Sequence, residues 1–297
     1  INDISAEKPV FRTGLNYQLA EATYIRASWG QGYRFPSMAE LFIRTTQSGL
    51  EIYPNPNLKP ESGWSSEIGI KQGLKVGNWM GYIDVAAFLQ QYDNMMEFSF
   101  GPWAQNQPDP NDPSGVTSLN FYGLGFKSLN VGKTQISGIE LSVNGQGKIS
   151  EDLIVNFMGG YSYMHSISLT PDETYAILER PIFLGGENID SLTYNNNSSD
   201  ASALKYRYKH IAKIDIEMIY KKISLGGGFR FNDFMRNIDK VFTEDLIGGE
   251  NGMIPGINKA RENFQDGDLI VDIRAGYQLT KTARLGFIVN NLLNTEY

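Results

Sequence analysis

The sequence predicts an all-β fold, a transmembrane antiparallel β-barrel, on three observations. Ten segments read as strands, and in five of them apolar and polar residues alternate at period two, the signature of strands with two different faces. Tight turns near 19–22, 74–78, 148–152, 220–222 and 279–282 alternate with long loops at roughly 33–62, 101–123, 171–205 and 240–267. Outer-membrane barrels have short turns on the periplasmic rim and longer loops outside. Tyr161, Tyr163, Tyr206, Tyr208, Tyr220, Tyr277, Trp29 and Trp79 fall where interfacial aromatic girdles are expected.

The strands follow in order. The first is expected near 11–18. The second, near 23–32, sets Thr23, Ile25, Ala27 and Trp29 against Arg26. The third lies near 63–74. In the fourth, near 79–99, Ile83, Val85, Ala87 and Leu89 alternate with Tyr82, Asp84 and Gln90. The fifth lies near 124–147. The sixth, near 153–169, sets Leu153, Val155, Phe157, Tyr161 and Tyr163 against Asn156 and Ser162. In the seventh, near 206–220, Ala212, Ile214, Ile216, Met218 and Tyr220 oppose Lys213, Asp215 and Glu217. The eighth lies near 223–238. The ninth, near 268–279, sets Leu269, Val271, Ile273, Ala275, Tyr277 and Leu279 against Asp272, Arg274 and Gln278, and the tenth lies near 283–297. A soluble sandwich also alternates, but its strands typically run about 5–6 residues. Most segments here reach the roughly 9–11 residues that a membrane-crossing strand needs.

Composition agrees. The chain has 297 residues, 41% of them hydrophobic, with no cysteine and hence no disulfide framework. No run of 18 apolar residues occurs, so no transmembrane helix is expected. The net charge is −7, and it matches the excess of acids in two loops, −4 between Thr170 and Lys205 and −3 between Lys240 and Asp268. Such loops repel nucleic acid. They are either solvated surface or a field for cations.

The first strand heads for the short-turn rim, so the tenth ends at the long-loop rim. Bacterial barrels have an even strand number, with both ends periplasmic. The expectation is a C-terminal piece of a larger barrel, one strand short at its end.

Four motifs carry a resemblance. They are Gly30-Gln31-Gly32-Tyr33-Arg34-Phe35-Pro36-Ser37-Met38-Ala39-Glu40-Leu41-Phe42; Pro54-Asn55-Pro56-Asn57-Leu58-Lys59-Pro60-Glu61, followed by Glu67-Ile68-Gly69-Ile70-Lys71; Asn130-Val131-Gly132-Lys133-Thr134 leading into Ser137-Gly138-Ile139-Glu140-Leu141; and Asn290-Asn291-Leu292-Leu293-Asn294-Thr295-Glu296-Tyr297. In this order they resemble the C-terminal part of the barrel of TonB-dependent outer-membrane receptors, in a bacteroidete-like style. The resemblance implies a 22-stranded plugged barrel of which residues 1–297 supply about ten strands, 12 to 21, with the plug domain and the final strand outside this chain.

It also implies the outer membrane of a Gram-negative bacterium and active import, powered through TonB, of a ferric siderophore or other metal complex. The implied partners are outer-membrane lipid and lipopolysaccharide, the plug domain of the same receptor, the TonB complex through that plug, and a small-molecule or metal-chelate ligand. No nucleic acid, cofactor, metal or catalytic residue is expected. The motif residues Arg34, Pro36, Glu40, Asn55, Pro56, Asn57, Leu58, Pro60, Glu61 and Glu67 are expected to be structural. Glu61, Glu67 and Lys71 either dock a plug or pair within the wall. Loop residues Tyr53, Trp103, Asn106, Tyr194, Asn195 and Phe264 either face a ligand or stabilise the loops.

Competing signals are weak. Gly132-Lys133-Thr134 ends like a phosphate loop, but Lys127 stands where that loop requires glycine. His165 and His210 lie at strand ends and suit either a metal site or the aqueous rim. No histidine occurs between Tyr33 and Pro60, which departs from haem-importing relatives. An accessory barrel subunit of a larger outer-membrane complex is the alternative function. A small omptin-like protease is a further one, for which no motif speaks.

Overall fold

The computed structural model describes residues 9–47, 50–104, 123–244, 247–250, 252 and 254–296. Ten strands form one antiparallel sheet: β1 (Arg12–Ala20), β2 (Thr23–Arg34), β5 (Glu61–Val76), β6 (Asn78–Asp93), β9 (Thr134–Lys148), β10 (Leu153–Ser168), β13 (His210–Tyr220), β14 (Ile223–Asn232), β15 (Asp268–Gln278) and β16 (Arg284–Val289). Each of these strands pairs with the next in that order, as in an up-and-down barrel wall. Six further strands lie in the loops. They are β3 (Thr45–Gln47), β4 (Leu50–Tyr53), β7 (Met96–Pro102), β8 (Leu124–Asn130), β11 (Ala176–Leu184) and β12 (Glu187–Leu192). Two short helices, α1 (Met38–Phe42) and α2 (Ile257–Asn263), complete the elements used below. Among the described residues no helix is long and apolar enough to cross a membrane.

Register fixes which face each side chain takes. Ser28 stands opposite Glu67, Lys71 opposite Asp84, and Asp215 opposite both Met158 and Gly228. Arg26, Glu67, Asp84, Asp215, Arg230, Asp272 and Arg274 therefore share one face. The other face carries Leu15, Ile68, Ile70, Val85, Ile139, Ile214, Leu225, Phe229, Ile273, Leu285 and Phe287, all exposed. A continuous apolar face this large needs an apolar medium, and a lipid bilayer supplies it.

The ionic face is paired within the wall. Arg26 reaches Glu67 at 2.7 Å and Asp84 at 2.6 Å. Arg274 grips Asp215 with two bonds of 2.7 Å, and Arg230 meets Asp272 at 3.0 Å. Two of these arginines lie across glycines of adjacent strands. A Cβ on Gly69 would meet Arg26 at 2.8 Å, and one on Gly226 would meet Arg274 at 2.6 Å. On the outer face Trp79 covers Gly145 in the same way and donates its indole N–H to the carbonyl of Val155, tying β6, β9 and β10 together.

Four sequence expectations change, the first being that the eighth strand, expected near 223–238, stops at Asn232. The expected strands 79–99 and 124–147 each break in two, because Asn94 (φ 55°) and Gly132 (φ 91°) turn both chains out of the wall together. Met95 and Val131 bond across that corner, through Met95 N to Gly132 O at 3.1 Å and Val131 N to Met95 O at 2.8 Å. The tenth strand stops at Val289 rather than 297. Asn291 and Asn294 adopt left-handed backbone, and the Asn291 amide bonds both to and from the Thr295 backbone, folding the motif back on itself. Tyr206 is no girdle residue; it too has positive φ, and its hydroxyl points into the loop cluster described next.

Candidate functional site

The loops beyond one end of the wall fold into a cap of their own. Strands β3, β4, β8 and β7 form a four-stranded sheet in that order, with β4 and β8 parallel. Hairpin β11–β12 packs nearby. Tyr53, Phe100, Trp103, Leu124, Leu178, Ile182, Leu184, Leu192, Val241 and Ile247 form one buried cluster drawn from every long loop. Phe100 packs against Phe126 and Phe242 with ring centroids 5.4 and 5.9 Å away.

Motif residues fasten this cap to the wall. Arg34, at the end of β2, donates to the Glu61 carboxylate and reaches Glu40 at 2.8 Å. The other Glu61 oxygen accepts the Met96 N–H. Ser37 and Glu40 cap α1 reciprocally, Glu40 N to Ser37 Oγ at 3.2 Å and Ser37 N to Glu40 Oε2 at 2.7 Å. Asn55 donates to the carbonyl of Ser128 at 2.8 Å, and its own oxygen accepts the Asn57 N–H. Asn130 exchanges two bonds of 2.9 Å with the Lys59 backbone. Leu58 packs on Leu41 and Met96. Pro36, Pro56 and Pro60 punctuate the same segment, fixing φ where the chain turns. Glu67 lies lower on the wall, with Arg26. The Lys71 ammonium sits 3.7 Å over the Tyr82 ring.

A charged knot closes the cap. Lys205 is fully buried, with its ammonium 2.9 Å from Asp239 and 3.7 Å from Glu97. The Tyr206 hydroxyl donates to Asp239 at 2.6 Å, and the Asn197 amide donates to it at 3.1 Å. The Tyr194 hydroxyl accepts the Lys205 N–H at 2.7 Å and lies 3.5 Å from Glu97. Burial alone would lower the Lys205 ammonium, but Asp239, Tyr175 and Glu97 reverse this and hold it above its ordinary value. Burial raises the Glu97 carboxyl, against the opposing pull of Lys205. Two carboxylates face one ammonium, so Glu97 is the group driven toward its neutral form.

The expected ligand-facing residues divide. Tyr53 and Trp103 are interior to the cap's apolar cluster, and Tyr194 is wholly enclosed in the knot. Asn195 is exposed and donates to the Asp172 carboxylate, while exposed Phe264 ends α2. Asn106 lies outside the described residues. The sequence offered no signal for Lys205, Asp239 and Glu97, since each reads as an ordinary surface charge. The histidines separate in their contacts. His210 stands opposite Tyr163 and shares a hydrogen bond with the Tyr161 hydroxyl at 2.8 Å, and His165 stands opposite Ser137. Among the described residues no group of three or more potential metal ligands occurs. Where cap and inner wall meet, a cavity of about 740 Å³ opens, lined by β1, β2, β5 and β6 together with Met95, Met96, Ile136 and Arg207.

A family model described as TonB dependent receptor-like, beta-barrel, matches residues 3–292. Hemoglobin and hemoglobin-haptoglobin-binding protein A of Haemophilus influenzae is 23% identical over 276 residues, which is 79% of this chain and 24% of that protein. The vitamin B12 transporter BtuB of Vibrio vulnificus is 30% identical over 118 residues, 39% of this chain and 17% of the transporter. Among solved structures, the Serratia marcescens hemophore receptor HasR, bound to its hemophore HasA and heme, superposes with TM-score 0.54 at 18% identity, covering 96% of this chain and 36% of the receptor chain. The ferric enterobactin receptor PfeA of Pseudomonas aeruginosa gives 0.53 at 15% identity, with 98% and 35% covered. The chain thus spans about a quarter of the first of these curated relatives.

Proposed function

The chain belongs to the family of TonB-dependent receptor β-barrels, and from that premise we propose that it forms the wall and external cap of an outer-membrane importer for a scarce metal complex. One observation carries this reading: a ten-stranded wall that is apolar outside and ionic inside, roofed at one end by a folded cap rather than by loose loops. A passive pore needs no such roof. The inner face suits a plug, because its charges already neutralise one another and leave a polar surface that a folded domain can slide against. In this reading a plug of the same receptor occupies the lumen, and the TonB complex acts through it. The ligand crosses unchanged, and no residue acts on it chemically.

The matched relatives bind cargo as different as heme-bearing proteins, ferric enterobactin and vitamin B12. A metal complex is the chemistry these share. The test is uptake of radiolabelled ferric chelates by cells carrying the full-length protein in their outer membrane. Import reads as accumulation that a protonophore abolishes. Accumulation that persists unchanged with the protonophore marks a passive pore and overturns the proposal.

A further inference from the structure

The chain has no cysteine, so no disulfide can staple its long loops. The knot at the centre of the cap offers another kind of staple. Lys205 and Asp239 are both wholly buried, and the Lys205 nitrogen touches the Asp239 carboxyl at 2.9 Å. An ion pair so deep is costly to desolvate, and well-packed apolar residues often serve stability as well. What the knot adds to an ion pair is a second acid. Glu97 Oε2 stands 3.7 Å from the same nitrogen, is buried, and accepts no hydrogen bond. A buried oxygen without a donor calls for a role.

The surroundings hold the carboxyl still. Asp239 Oδ1 also accepts from the Asn197 amide at 3.1 Å and from the Phe100 N–H at 3.3 Å. Oδ2 accepts from the Tyr206 hydroxyl at 2.6 Å. These donors draw electron density from the carboxyl carbon, as an oxyanion hole does. Lys205 is fixed from another side by the Ser99 hydroxyl at 3.4 Å. The Tyr194 ring lies 5.7 Å from its nitrogen, and buried Tyr194 and Leu204 help to keep water out. An amine, a carboxyl and a proton-carrying acid, held together away from water, are the components of amide formation.

We propose that Lys205 and Asp239 condense into an amide bond between their side chains, with Glu97 as the proton relay. The ion pair is the precursor. Its ammonium first passes a proton to Asp239, which leaves both groups neutral, as burial favours. The freed electron pair on Nζ attacks Cγ, and a C–N bond forms. Glu97, which burial drives toward its neutral form, protonates the departing Oδ1 and takes a proton from the nitrogen. The C–O bond breaks, one water leaves, and Glu97 ends as it began. Oδ2, still held by Tyr206, becomes the amide oxygen. The bond spans 34 positions, from the segment before β13 to the segment after β14. It ties together two loops of like charge, −4 and −3, that otherwise repel one another.

The test uses the full-length receptor extracted from its outer membrane, denatured and digested with trypsin. The bond blocks cleavage at Lys205 and leaves Asn237–Lys240 attached to the peptide that runs through Lys205 to Arg207. Mass spectrometry is expected to find this joined species at the summed peptide masses less one water, with fragments placing the link on the two side chains. Lys205→Arg keeps the charge and is expected to lose the link entirely. Glu97→Gln keeps the shape and is expected to slow its formation on the order of 100-fold. That delay is read as the time at which joined peptide appears after a pulse of isotope-labelled synthesis. Amide-exchange protection of the wall strands verifies that each variant is folded. Lys205 recovered only as a free side chain from folded wild type overturns the proposal. A link that forms at the wild-type rate in Glu97→Gln, or that survives Lys205→Arg, overturns it as well.

Discussion

The wall and the cap both hold charged pairs, yet they use them in opposite ways. On the wall, Arg26 and Arg274 are about a third exposed, and their carboxylates are also wetted. In the cap, Lys205 and Asp239 have no exposure. Wall pairs form wherever register sets opposite charges side by side, and each can be lost with little effect. The knot exists because three distant segments converge on one ammonium, and its groups cannot return to water while the cap stays folded. The wall is therefore stabilised by repetition and the cap by a few irreplaceable contacts.

Four changes break or sharpen this contrast. Lys205→Met strands two buried carboxylates and is expected to destabilise the cap by about 3–5 kcal/mol. In the full-length receptor this reads as fast amide exchange and protease nicking across 171–205, with wall strands still protected. Equal loss of protection in the wall would mean that cap and wall melt as one unit. Glu61→Ala releases both Arg34 and the Met96 N–H, at a cost of about 1.5–3 kcal/mol. Exchange should rise in the 33–60 segment and at β7, but not in β11–β12.

The third change is in pH. The folded-state carboxyl of Glu97 lies above its ordinary range. The folded cap therefore binds that proton more tightly than the unfolded chain does. Cap stability from this group is full below the ordinary carboxylate range and fades as pH rises through the elevated value. The protection factor of cap amides, which corrects for the pH dependence of exchange chemistry, should fall over that window in the wild type and stay level in Glu97→Gln. The smallest effect is expected from Arg274→Gln, about 0.2–1 kcal/mol for an exposed pair. It is measured as the heat needed to unfold the receptor in detergent, and a change as large as that of Lys205→Met would erase the distinction between the two regions.

The same contrast explains what was legible in the sequence. Wall strands obey period two, so Ile214, Ile216 and Met218 against Asp215 and Glu217 disclosed both faces before any coordinates. The tight turns fell where β1–β2, β5–β6, β9–β10, β13–β14 and β15–β16 connect. Within the motif Arg34-Phe35-Pro36 through Glu61, Arg34, Glu61 and Asn55 bond between cap and wall. The cap itself was not legible. Residues 79–99 and 124–147 read as continuous strands, and Asn94 and Gly132, which turn the corner with positive φ, do not stand out from the other glycines and asparagines along them. Lys205, Glu97 and Asp239 lie far apart in sequence. No local pattern distinguishes a charge that will be buried by convergence from one that will stay in water.

The parallel pairing of β4 with β8 has a kinetic meaning. Glu51, Ile52 and Tyr53 pair with Gly125, Phe126 and Lys127, and a Cβ on Gly125 would collide with the Glu51 carbonyl. The two segments emerge from β2 and lead into β9, on opposite flanks of the hairpin β5–β6. They cannot meet until that hairpin stands upright between its neighbours. Long loops must close before such a contact returns anything, so it forms late. A spectroscopic label pair spanning β4 and β8 would therefore act as a clock for assembly. It would stay silent while the hairpins enter the membrane and signal once the wall beneath the cap is in register.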